Sequence, residues 1–188
     1  AVLAVRFTRW GAQFWQLAGP YFNWRRSWRP VLVFALLLVL TLFAVRLNVL
    51  FSFWYNGFYS ALQGLDQTAF WYLLGVFAVL ASIHVLRSLF AFYVTQAFNI
   101  HWRVWLTERL TADWMHGDAY YRGQFLAEPV DNPDQRIELD VNAFVTGSVS
   151  LALGAVSAVV SLVAFTGILW GLSAPLEVAG IEVPRAMV

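Results

Sequence analysis

The sequence predicts an all-α membrane protein that crosses a bilayer about three times. Three observations predict it. Of 188 residues, 60% are hydrophobic and only 12% are charged, against about a quarter in soluble domains. The apolar runs are long: Val31–Val45, Gln67–Leu86 and Val141–Leu176 contain no Asp, Glu, Lys or Arg. No proline falls between Pro30 and Pro129 or between Pro133 and Pro175, so nothing in those stretches breaks a helix. The alternative is a soluble all-α domain with a large core. That domain would need more polar surface than this chain carries, whereas lipid tails remove the requirement.

The elements follow in chain order. Ala1–Val5 is an apolar run leading straight into Arg6. A signal peptide would carry its charges first, so the run reads as the tail of a missing N-terminal span. The last residues turn apolar again after Pro184, and the chain reads as cut at both ends. Phe7, Trp10, Phe14 and Leu17 recur at helical spacing, with Arg6, Arg9, Gln13 and Gln16 between them. This predicts an amphipathic helix lying in the membrane interface and ending at Gly19-Pro20. Trp24-Arg25-Arg26-Ser27-Trp28-Arg29 then sets aromatics and positive charge at a cytoplasmic membrane edge.

The first span is predicted over about 31–55, interrupted by Arg46, because about 20 residues of helix cross a 30 Å core. Asn56-Gly57 and Gly64-Leu65-Asp66 are expected to bracket a short turn on the far side. A second span, about 67–90, belongs to a helix that continues to about His116. Beyond the membrane Trp102, Leu106, Leu110 and Trp114 share one face, with Arg103, Thr107, Glu108 and Thr111 elsewhere. Such a helix is about 75 Å long and stands well out into water. Residues 117–140 are the polar part of the chain, with Pro129 and Pro133 as breaks. A third long helix is predicted from about Asp134 to Leu172, its span over about 145–172.

Arginine placement gives the orientation. Residues 1–29 hold Arg6, Arg9, Arg25, Arg26 and Arg29, and residues 103–140 hold Arg103, Arg109, Arg122 and Arg136. The segments 56–66 and 173–188 hold only Arg185. The positive-inside rule puts the first two segments in the cytoplasm.

Several function classes drop out. The chain has no cysteine, which removes disulfides and thiolate metal sites. His84, His101 and His116 show no metal-ligand spacing. A net charge of +1 argues against a nucleic-acid partner. No GxxxxGK[ST] loop and no GxSxG elbow occurs, so the sequence offers no catalytic constellation.

Four features remain. Arg46 lies inside the first span, where a cation costs at least about 2.5 kcal/mol to insert; it marks either a functional site or an arginine paired or hydrated for structural reasons. His84 and Arg87 are one turn apart on the second helix and, with Asn48, Gln63 and Gln96, suggest a wet cavity between helices. Gly147, Ser150, Gly154, Ser157, Ala158 and Ser161 form a small-residue stripe, read as a packing face. Tyr120, Tyr121 and Phe125 are aromatics at the tip between the second and third helices. They serve either as docking anchors or as the inside of a self-packed loop.

The run Asp131-Asn132-Pro133-Asp134-Gln135-Arg136-Ile137, followed by Asp140-Val141, resembles a motif of SbmA/BacA-like ABC transporter membrane domains, a group related to the peroxisomal fatty-acyl half-transporters. Val45-Arg46-Leu47-Asn48-Val49-Leu50-Phe51-Ser52, Trp102-Arg103-Val104-Trp105-Leu106-Thr107, Ala119-Tyr120-Tyr121-Arg122 and Pro184-Arg185-Ala186-Met187 extend the similarity. It runs through essentially the whole chain and is nearest the fused permease–ATPase family of vitamin B12, bleomycin and antimicrobial peptide transport.

The resemblance implies the N-terminal half of an exporter-type transmembrane domain, working as a homodimer in the bacterial cytoplasmic (inner) membrane. Residues 1–29 would hold the elbow helix and 30–188 the partial transmembrane domain. The segment from Asp118 to Ala127 would be the first coupling helix. Asp118, Tyr120, Tyr121, Arg122 and Phe125 would contact an ATPase domain, with Asn132, Pro133, Asp134, Gln135 and Arg136 opening the ascending helix beside them. ATP and magnesium would belong to that ATPase domain, which this sequence lacks, so the fragment itself is non-catalytic. Arg46, Asn48, His84 and Arg87 would line the path of a hydrophilic solute, cobalamin or a peptide. A rival expectation is the membrane sensor or anchor of a signalling protein.

Overall fold

The computed structural model describes residues 11–23, 27–116, 132–172, 176–178 and 181–183. Residues 11–18 are helical, α1. Three long helices follow: α2 (Arg29–Gln63), α3 (Gln67–Met115) and α4 (Pro133–Leu172). They contain 35, 49 and 40 residues, or about 52, 74 and 60 Å at 1.5 Å per residue. All three are long and apolar enough to cross a membrane, and each exceeds the roughly 30 Å core. The chain is therefore a multi-pass, all-α membrane protein.

The helix ends obey local chemistry. Pro30 sits in the first turn of α2, where its missing N–H costs nothing. Asn56 and Gly57, expected to open a turn, are helical, because α2 runs on to Gln63. No proline or cap stops it earlier. The stop is a Schellman motif: Asp66 N–H donates to Ala61 C=O at 3.0 Å and Leu65 N–H to Leu62 C=O at 3.2 Å, which satisfies carbonyls that the helix end would orphan. Leu65 takes the left-handed position, φ 50°, with Gly64 one residue too early to serve. Asp66 then caps α3, its Oδ1 accepting from Thr68 and Ala69 N–H, both at 3.0 Å, the N2 and N3 donors. At its C-terminal end α3 closes with His116 in a 3₁₀ turn. Asn132 C=O accepts the first bond of α4 from Arg136 N–H at 3.0 Å, and Pro133 stands at the first helical position. Asn132 has φ 47°, a conformation asparagine tolerates better than most side chains.

After α4 comes an element the helical reading passed over. Strands β1 (Leu176–Val178) and β2 (Ile181–Val183) pair antiparallel, Leu176 opposite Val183 and Val178 opposite Ile181. The alternating Leu-Glu-Val and Ile-Glu-Val around Ala179-Gly180 carried the signal: two period-2 runs joined by two residues.

Two compact units divide the chain, Ala1–Leu37 with Ala91–Ala152 and Leu38–Phe90 with Leu153–Val188. The first is held by aromatic rings. Tyr21 stacks on Trp102 at 5.3 Å between centroids and 8° between planes, and meets Phe98 and Trp105. Phe22 packs edge-on against Phe34 and Trp102. Phe144 of α4 meets Trp102 and the α1 residue Phe14. One cluster thus ties the turn after α1 to α2, α3 and α4. Val141, Val145 and Val149, four residues apart, are the buried stripe of α4. Of the small-residue stripe, Gly147, Ser157 and Ser161 are half-buried while Ser150, Gly154 and Ala158 are exposed, and a Cβ at Gly147 or Gly154 would meet nothing within 4 Å. Branched side chains fill that space better than small ones where no second backbone comes close.

The second unit is an antiparallel pair of α2 and α3 with the end of α4. Phe58 meets Phe70, Trp54 meets Phe77, and Phe51 meets Phe77 and His84, so position falls along one helix as it rises along the other. Trp54 Nε1 donates to Leu73 C=O at 2.7 Å. Hydroxyls bond back onto their own helices, as Ser52 Oγ does to Asn48 C=O and Ser82 Oγ to Ala78 C=O, which hides them from lipid. Val79, Leu86, Leu162, Val163 and Leu169 face outward. Their apolar side chains suit a lipid surround.

Candidate functional site

Arg46 and the α3 pair sit on different faces of α2. At 100° per residue Leu40, Phe51, Trp54 and Phe58 share the face turned to α3, while Leu42, Val45, Arg46, Val49 and Phe53 share the opposite one. That second face and Val160, Ala164, Gly167, Ile168 and Gly171 of α4 line a cavity of about 620 Å³. Among the described residues Arg46 is its one charged side chain, and no carboxylate of theirs lines it. A lone guanidinium on an apolar wall favours an anionic or strongly dipolar guest, or water. Sequence reasoning missed the α4 wall. The signal was there in Gly167 and Gly171, a GxxxG spacing, where a Cβ would meet nothing within 4 Å.

Arg87 Nη1 donates to Leu40 C=O at 2.8 Å. Its Nε and His84 Nδ1 are buried with no partner, although His84 lies edge-on to Phe51. The structure keeps His84 and Arg87 on the α2–α3 seam and brings neither to Arg46. Asn48 is exposed, on a flank between the two faces. The described residues hold no group of three or more His, Asp or Glu placed for a metal ion.

The residues expected at the cytoplasmic tip, Asp118, Tyr120, Tyr121, Arg122 and Phe125, lie outside the described residues. Beside them Asn132 forms the first turn of α4 with Pro133 and Asp134, and Gln135 and Arg136 point into solvent. Deeper in the same unit, Arg109 lies over the Trp105 ring at 5.5 Å, a cation–π contact. Burial pushes the Tyr21 phenol up to about 12, so it stays protonated at neutral pH.

Residues 17–184 match the model of ABC transporter transmembrane region 2. An ABC transporter ATP-binding protein of Haemophilus influenzae is 44% identical over 99% of this chain and 31% of its own length. The inner membrane ABC transporter ATP-binding protein YddA of Escherichia coli is 31% identical over 91% of this chain and 31% of its own. The human lysosomal cobalamin transporter ABCD4 is 30% identical over 74% of this chain and 23% of its own. The chain thus spans about a third of the length of the first two and less of the last. Three bilayer-length helices, an arginine-lined groove and a match over nearly the whole sequence lead to one conclusion: the chain belongs to the ABC transporter transmembrane region 2 family, the membrane permease part of ABC transporters.

Proposed function

We propose that this chain is one half of the permease core of an ATP-driven transporter that moves hydrophilic solutes, cobalamin or peptides, across the bacterial cytoplasmic membrane. The observation that carries the reading is the excess length of α3 and α4. At about 74 and 60 Å they reach well past a bilayer core, toward the segment 117–131 that joins them. Lengthened paired helices convey a rigid-body movement from a soluble engine to the membrane. The engine is an ATPase domain, and relatives of about three times this chain's length are named ATP-binding proteins. ATP and magnesium act there. Asp118, Tyr120, Tyr121, Arg122 and Phe125, with the first turn of α4 from Asn132 to Arg136, form the docking surface.

Two copies make the permease, and closure of the ATPase pair rocks the long helices to alternate access to a central path. Arg46 faces that path, and its charge suits solutes bearing phosphate or carboxylate. His84 and Arg87, held on the α2–α3 seam, act as polar positioning groups for the helix pair, with Asn48 at the edge of the path. The cobalamin reading is supported by the human relative's name, the peptide reading by the SbmA/BacA-like motifs, and the inner-membrane setting by the Escherichia coli relative.

The test uses the full-length protein in proteoliposomes. ATP-dependent uptake of labelled cobalamin or of a labelled peptide is expected, and Tyr120→Ala with Tyr121→Ala is expected to lower solute-stimulated ATPase activity about tenfold or more. Unchanged stimulation in the double variant refutes the docking surface. Absence of uptake for both solutes refutes the solute class.

A further inference from the structure

A second cavity, of about 380 Å³, lies in the first unit where the chain enters α2. Tyr21, Val33 and Phe98 form its floor, and Ser27, Arg29 and His101 are the polar groups around it. Tyr21 and Phe98 are buried, whereas Arg29 and His101 are exposed. Among the described residues no carboxylate lines it. His101 Nδ1 lies 2.7 Å from Ala97 C=O, so Nδ1–H donates there and Nε2 is left as the ring's remaining polar atom. An apolar floor under a rim that carries the Arg29 guanidinium suits an amphipathic anion.

The position along the helix identifies which one. Arg29 is the first residue of α2, so the cavity lies where that helix begins. The arginine-rich residues 1–29 lead into it, and by the positive-inside rule they mark the cytoplasmic membrane edge.

We propose that this cavity binds an anionic phospholipid of the cytoplasmic leaflet. Arg29 and Ser27 donate to its phosphate, His101 completes the rim, and the glycerol and first acyl carbons lie over Val33 and Phe98. A zwitterionic lipid fits less well, because its own cation would face Arg29. The lipid would clamp the segment before α2 against α3, so the bilayer's composition would set how firmly the elbow is held. The proposal rests on the cytoplasmic placement of residues 1–29 and not on any solute.

The full-length protein is placed in nanodiscs of phosphatidylcholine alone or with one fifth phosphatidylglycerol, and retained lipids are counted by native mass spectrometry. Wild type is expected to retain phosphatidylglycerol in preference to phosphatidylcholine. Arg29→Gln with His101→Gln should cut the retained fraction about tenfold, while Arg29→Lys keeps most of it. Ala97→Phe, which fills the cavity without replacing Arg29 or His101, should also cut it. Equal retention of the two lipids, or full retention in the double variant, overturns the proposal. So does displacement by millimolar inorganic phosphate, which would mark a soluble-anion site. If the double variant does not fold, Ala97→Phe decides: retained phosphatidylglycerol there overturns the proposal. ATP-dependent uptake in vesicles of the same two compositions is read separately, so a failed lipid site with intact transport leaves the permease reading standing.

Discussion

Replacing Trp102 tests the aromatic cluster most directly. Its side chain is 2% exposed and touches Tyr21, Phe22, Phe98 and Phe144. A tryptophan buries about 150–250 Å², worth about 4–6 kcal/mol at 25 cal/mol per Å². Partial collapse of the space brings the expected cost of Trp102→Ala to about 3–5 kcal/mol. Trp102→Phe should behave differently. It keeps one ring in the cluster and loses about 1–2 kcal/mol of packing. It also removes Nε1–H, which is buried with no partner and whose burial costs about 1–3 kcal/mol. The two effects nearly cancel, so Trp102→Phe should fall within about 1 kcal/mol of wild type. The assay is denaturant unfolding of the full-length protein in detergent, with Trp71→Ala as control because Trp71 is 62% exposed. If Trp102→Ala costs no more than Trp71→Ala, the cluster does not hold this unit together. If Trp102→Phe costs as much as Trp102→Ala, the indole N–H has a partner, and the accounting above is wrong.

Three further predictions follow from named groups. Leu65 holds φ 50° while 90% exposed, so Leu65→Gly loses no packing and should stabilise the α2–α3 turn by about 0.5–1 kcal/mol; a drop in unfolding midpoint would refute this. Asp66→Ala removes both acceptor bonds at the start of α3 and should cost about 0.5–2 kcal/mol, while Asp66→Asn should recover most of it in the same assay. The Tyr21 phenol is raised by burial from 10.0 to about 12, so between those values the unfolded chain gives up the proton and the folded chain keeps it. Stability present below pH 10 should therefore decline as pH rises toward 12, and Tyr21→Phe should flatten that decline; parallel curves for the two proteins would show that Tyr21 is not responsible.

The sequence alone determined the helices and their length. Long apolar runs carried the starts of all three helices and the ends of α3 and α4 to within a few residues, and Asn132-Pro133 marked the start of α4, whereas α2 runs on to Gln63, past the end expected near 55. The exceptions have local causes. Asn56-Gly57 looked like a turn but is overridden by the helix on either side, and the hairpin after α4 was hidden by its shortness. Which faces meet was decided only by tertiary structure. Arg46 turned to α4 while His84 and Arg87 turned to the other side of α2, and α4 buried Val141, Val145 and Val149 rather than its small residues. The reason is physical. A soluble helix announces its buried face by contrast with a polar one. In a membrane, lipid and neighbouring helix are equally apolar, so a helix apolar all round carries no such contrast, and side-chain shape settles the pairing.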